Sequence, residues 1–248
     1  MNETYRKILI VFELERAIKY LRLGLAEVQK ITTTNDFYDP VFIYLSGGLE
    51  RLFKTMLCLN YLETQGRLPN PNEIWKNTNG HDLLYLKTKV EQFCVEIKRP
   101  FASNDFEIIV NDVFINKICK TLSEFGRRSR YFNLDAILGV EQGFDSKNTW
   151  EKLETEISIG IYGKEKFYQL LSDPKQLDKI YFDSNKEIVI RLEKFIRALT
   201  RQFIFGNFYK DSKTFVFQID DFTDIEDKQL GMTDYGKFKS HERIKRKN

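Results

Sequence analysis

Between residues 5 and 31 apolar side chains recur at Val11, Leu14, Ile18, Leu21, Leu25 and Val28, a 3,4,3,4,3 spacing that fits the turn of an α-helix. A stripe of this kind has to be covered by other helices. The pattern returns three times. Residues 40 to 65 predict a second helix with Phe42, Leu45, Leu49, Leu52, Phe53 and Met56 inward, ended by the stretch from Gly66 to Pro71. A third is expected from His81, with Asn79 as N-cap, to Arg99, carrying Leu83, Leu86, Val90, Phe93 and Ile97 until Pro100 stops it. Asn104 followed by Glu107 reads as the capping pair of a fourth, in which Phe106, Val110, Val113, Phe114, Ile118, Leu122 and Phe125 run on to Gly126. Short connections between four such helices predict an antiparallel bundle, a mainly α fold.

Past Gly126 the chain turns irregular around Gly139 and Gly143, which puts a boundary near residue 135 and makes 1–135 the bundle. Residues 136–236 read as a helical extension. It has one helix over 149 to 161 on Trp150, Leu153 and Ile157, and one over 185 to 204 on Ile188, Leu192, Phe195, Leu199 and Phe203. Between them Ser172-Asp173-Pro174 caps a shorter one. Phe215, Phe217 and Ile219 alternate with Val216 and Gln218, so a short β-hairpin with residues 203 to 209 is expected.

The 248 residues carry a formal net charge of +3, yet 237–248 alone hold six Lys and Arg against one Glu. The body is therefore slightly acidic, without the overall basic footprint of a nucleic-acid-coating protein. Within this basic tail Lys245, Arg246 and Lys247 suit a phosphate backbone. A solubilising end, or one folded back on the acidic run Asp220, Asp221, Asp224, Glu226 and Asp227, explains it equally well. That run reads as an exposed loop rather than a divalent-metal site. Cys58, Cys94 and Cys119 lie in apolar helical patterns with no CxxC pair, so neither a disulfide framework nor a zinc site is suggested and no cofactor is implied. No long apolar run marks a signal peptide or membrane span, and the expected compartment is the cytoplasm.

Two long opening helices, a Gly-x-Glu-x-x-x-Lys element in the second, a Gly-His-Asp-Leu start to the third and an Arg-Tyr after the fourth resemble a HEPN (higher eukaryotes and prokaryotes nucleotide-binding) domain. The residues concerned are Gly48, Glu50, Lys54, Gly80, His81, Asp82, Leu83, Arg130 and Tyr131, within residues 5 to 135. The resemblance implies a four-helix bundle that often dimerises, often in phage-defence or toxin systems, sometimes with metal-independent endoribonuclease activity. That activity uses an arginine, four to six residues, then a histidine. Here Ile74, Trp75 and Lys76 stand upstream of His81, and Asp234, Tyr235 and Gly236 upstream of His241. Without the local pair the fixed geometry of phosphate polarisation and proton transfer is lost, which points to the family's non-catalytic relatives.

Other candidates carry two readings each. His81 at a helix start suits an anion, or it and Asp82 simply complete the cap. Trp75 reads as a loop anchor, with base stacking as the other role. Glu50 and Lys54 read as an i,i+4 pair and Gly47-Gly48 as a close helix approach. Arg127, Arg128 and Arg130 with Tyr131 suit phosphate contacts and base stacking, or satisfy helix-terminal carbonyls. Arg191, Lys194, Arg197 and Arg201 read as a solvated face neutralised by Glu187 and Glu193. The expectation is a nucleic-acid-binding or partner-binding subunit of a prokaryotic defence system. Its RNA or DNA contacts fall on Arg127, Arg128, Arg130, Tyr131, His81, Lys245, Arg246 and Lys247, and helical faces are open to a protein partner or second copy. A ribonuclease with His81 as acid/base and a scaffold without nucleic acid are the alternatives.

Overall fold

Asn2 starts α1 (Glu3–Val28) by accepting a hydrogen bond from the Thr4 amide, and the helix buries Ile10, Leu14, Ile18, Leu21, Leu25 and Val28. The computed structural model describes residues 2–74, 80–141, 143–208, 211–239, 242 and 244, and among them it has eleven α-helices and no strand. α2 (Asp39–Gln65) carries Pro40 in its first turn and ends where Gly66, at φ 70°, returns its amide to the Leu62 carbonyl. Gly24 lies against Leu45, Gly48 against Leu21 and Arg51 against Glu13, so α1 and α2 run antiparallel. A Cβ on Gly48 would stand 2.8 Å from Leu21 Cγ and 3.0 Å from its backbone nitrogen, and one on Gly24 2.5 Å from Leu45 Cδ2. The two helices pack at a distance only glycine allows.

After the single turn of α3 (Pro71–Ile74), Asp82 caps α4 (Leu83–Glu91) by accepting from the Tyr85 amide, while Leu83, Leu86 and Val90 turn inward. Asn79, the cap expected from sequence, falls outside the described residues. α4 stops at Glu91 rather than Arg99. The buried Gln202 side chain takes the Val95 amide at 3.0 Å and donates to the Val95 carbonyl at 2.9 Å, engaging both backbone groups that a longer helix would need. The helix expected over 104 to 126 is split into α5 (Asp105–Val110) and α6 (Val113–Arg127). Asn104 makes no side-chain cap bond; Asp112 does, accepting from Ile115, and this fresh start breaks the run.

α7 (Phe132–Ile137) is short and buries nothing, α8 (Ser146–Tyr162) starts from Asp145, and α9 (Lys164–Leu171) leads to α10 (Leu177–Phe205). Asp173 caps the turn at Pro174 as expected. α2 packs against α1, α4 and α6, and α10 against α1, α5, α6 and α8. Phe42 of α2 meets Phe125 of α6 at 5.1 Å and Trp150 of α8 at 5.5 Å between ring centroids. Residues on both sides of position 135 thus share one core.

The hairpin expected across 203 to 219 does not form among the described residues. Phe203 belongs to the last turns of α10, and Asp211–Gln218 winds into a 3-10 helix ahead of α11 (Asp220–Thr223). A strand would set Phe215 and Phe217 on one face; three residues per turn instead bury Phe215 and leave Phe217 exposed.

The arginine stripe on α10 also differs from its reading as a solvated face. Arg191 pairs with Glu187 on the surface, but Arg197 and Arg201 are buried. Arg197 donates to the Ile225 carbonyl and pairs with Asp227; Arg201 pairs with Asp105 at 3.2 Å and donates to the Phe101 carbonyl. Glu193, fully buried, accepts from the Gly231 amide and the Tyr235 hydroxyl rather than neutralising Arg197. The segment after α10 folds back over this face and covers it. On α1 the buried Arg22 pairs with Asp221 at 3.1 Å and donates to the Lys239 and Glu242 carbonyls, and Asp221 also takes the Ile244 amide. Asp221 is therefore a buried anchor rather than part of an exposed loop.

Gly48→Ala should lower stability by about 1–3 kcal/mol in urea unfolding, although alanine favours an exposed helix by about 1 kcal/mol. Asp221→Ala, which strands the Arg22 charge, should cost about 3–5 kcal/mol, and Asp221→Ala with Arg22→Met less than the two single changes together.

Candidate nucleic-acid interface

The start of α4 faces the middle of α2 and the end of α6, and the residues of the sequence motif meet there. Glu50 and Lys54, one turn apart on α2, pair at 2.6 Å. The other Glu50 oxygen holds His81 Nδ1 at 2.9 Å, and the imidazole is largely exposed. Gly80 lets the ammonium sit close, since a Cβ there would lie 3.3 Å from Lys54 Nζ. Asp82 caps α4, accepts from Ser123 Oγ, and pairs with Arg127 at 3.0 Å, while Ser123 Oγ receives the Leu83 amide at 3.1 Å. An arginine remote in sequence therefore does reach the corner next to His81, but as the clamp between two helix ends. Gly48 serves helix packing, as its reading from sequence has it.

The basic-aromatic cluster is divided. Arg127 is taken by Asp82, and Arg128 by Glu124 at 3.1 Å. Arg130 has no carboxylate partner among the described residues; its guanidinium lies 5.8 Å from the ring centroid of Phe125, and Tyr131 beside it is 61% exposed. Both line a cleft of about 500 Å³ that opens between the start of α2, the end of α6 and the start of α8. Phe37 is exposed there, the buried Tyr38, Phe42 and Phe125 lie behind the surface, and Ser129 and Ser146 share a hydroxyl hydrogen bond of 2.6 Å. At the rim Lys147 pairs with Asp36 at 2.6 Å, holding that carboxyl below its usual range. Arg130 with the exposed rings of Phe37 and Tyr131 in a concave surface is suited to a phosphate and a stacked base. Lys245, Arg246, Lys247, Trp75 and His241 lie outside the described residues.

Sequence reading missed Ser123, Lys147 and, above all, Glu154. Glu154 is buried on α8, accepting from the Tyr38 hydroxyl at 2.8 Å and from Trp150 Nε1 at 3.1 Å, with no cation against it among the described residues. Burial pushes its carboxyl up to about 7, against the pull of the two donors. Burial, then the Glu154 charge, also raises the Tyr38 phenol. Tyr38 lines the cleft, so the wall of the cleft rests on a group that titrates near neutrality. The signal was in the sequence: Glu154 occupies an inward position between Trp150 and Ile157. No helix among the described residues is long and apolar enough to cross a membrane.

Because folded Glu154 holds its proton more tightly than the unfolded chain, ionising it opposes folding. Its contribution should weaken stability as pH rises from 4.5 to about 7 and then level off. Glu154→Gln should remove that slope, gaining up to about 3 kcal/mol relative to wild type above neutrality, read as the difference between urea unfolding curves across pH.

No family model, curated protein or solved structure matches the chain.

Proposed function

We propose that this chain is a HEPN-like, non-catalytic subunit of a prokaryotic defence system that binds single-stranded nucleic acid at the Arg130–Tyr131 cleft. The observation that carries this reading is the division of the arginines: Arg127 and Arg128 are spent on Asp82 and Glu124, while Arg130 stands without a carboxylate among the described residues, beside an exposed ring. The absence of catalysis rests on the sequence, which has no arginine four to six residues before either histidine. Within the His81 corner, Glu50 serves both His81 and Lys54, and Asp82 balances Arg127.

A ribonuclease is the second reading. It is favoured by the carboxylate-held imidazole of His81 and by Arg127 reaching its neighbour Asp82. A partner-binding role draws on α7 and the residue after it, where Leu134, Ile137 and Leu138 are all exposed at helical spacing.

Anisotropy of a labelled single-stranded RNA tests the proposal. Binding should weaken steeply between about 50 and about 200 mM salt. Tyr131→Ala should cost about 1–3 kcal/mol of affinity, Arg130→Ala should flatten the salt slope, and Arg128→Ala should change little. Equal effects of Arg130→Ala and Arg128→Ala, or no binding at low salt, would overturn it. RNA cleavage by the wild type that His81→Ala abolishes would establish the ribonuclease instead.

A further inference from the structure

A second cleft, of about 370 Å³, lies between the N-terminal half of α1, the middle of α2 and the turn that follows α2. Its size falls within the range of small-molecule sites. Its floor is aliphatic, made by Leu9, Ile10, Leu68 and Pro69, and among the described residues no aromatic side chain lines it. Its rim holds more positive than negative charge: Arg6, Arg51 and Lys54 against Glu13 and Glu50. Both carboxylates are already engaged, Glu13 by Arg16 and Arg51, Glu50 by Lys54 and His81. Arg6 donates only to the Pro69 carbonyl, so among the described residues its charge faces the cleft without a counter-charge. Cys58 lines the same wall; burial pushes its thiol up to about 11, with Arg6 and Lys54 pulling the other way, which places both cations near the sulfur.

We infer that this cleft binds a small amphipathic anion, an aliphatic carboxylate whose chain lies on Leu9, Ile10 and Leu68 and whose carboxylate meets Arg6. An excess cation selects the charge of the ligand, and the aliphatic floor of Leu9, Ile10, Leu68 and Pro69 selects a saturated chain over a nucleobase. The site is separate from the Arg130 cleft, so it stands or falls independently of nucleic-acid binding. It shares Lys54 and Glu50 with the His81 corner, and occupancy would be felt there.

Cys58 supplies the readout, because Cys94 and Cys119 are buried. Alkylation of the full chain at about pH 9 is followed with octanoate, octylammonium or adenosine monophosphate present. Octanoate should slow Cys58 modification with a dissociation constant below about 1 mM, and butanoate should do so more weakly. Octylammonium and the nucleotide should not protect. Arg6→Met, which keeps an unbranched apolar stem without the charge, should weaken octanoate protection at least about tenfold while leaving RNA binding unchanged. Equal protection by octanoate and octylammonium, protection by the nucleotide alone, no protection at all, or an unaltered response in folded Arg6→Met would each overturn the inference.

Discussion

Among the described residues three guanidinium groups, those of Arg22, Arg197 and Arg201, are buried, and a charge removed from water must find its counter-charge and hydrogen-bond acceptors inside. Those partners come from two places: Asp105 with the Phe101 carbonyl, and the segment from Asp221 to Glu242. The apolar seams of α1, α2, α4 and α6 assemble a bundle, but α10 can lie against it only because the returning chain covers its polar stripe. Glu193 and Tyr235 make the same bargain with the opposite charge. The arrangement explains how one core extends across residues of both halves.

The motif residues of α2, α4 and α6 converge on a corner where Glu50 faces Lys54 and His81, and Asp82 faces Arg127. Asp82 does three tasks there: it caps a helix, orients Ser123 and holds Arg127. That economy ties the ends of α4 and α6 together and directs the following residues, Arg130 and Tyr131, into a different concavity. The Arg130 cleft is in turn braced by Tyr38, whose hydroxyl reaches the buried Glu154, so the shape of the wall depends on a carboxyl within the core.

Helical periodicity made α1, α2 and the greater part of α10 readable, because their buried stripes consist of apolar residues at regular spacing. It failed where a side chain from far along the sequence competes for backbone groups. Gln202 ends α4 by bonding Val95, and nothing between Leu83 and Arg99 announces it. Asp112 was readable as a cap but was hidden inside a longer apolar pattern. Phe215 and Phe217 share the alternation of a strand, and only the position of the core separates them. Of the site, the Glu50–Lys54 pair and the role of Asp82 were legible as local helix chemistry. The sorting of Arg127, Arg128 and Arg130 was not: Glu124 and Arg128 have local i,i+4 spacing, but Arg127 is claimed by Asp82, remote in sequence, and Arg130 meets no carboxylate among the described residues.

Ile225, Leu230, Tyr235 and Ile244 are core members, and the carboxylate facing Arg22 sits at position 221. As the polypeptide leaves the ribosome, α1 and α2 can zip together early, yet Arg22 and the polar stripe of α10 stay hydrated until the segment from Asp221 to Ile244 has emerged. Completion of this fold therefore waits for that late segment. A nascent chain arrested ahead of Asp221 would display an unfinished, partly apolar helix surface to the quality-control machinery of the cell.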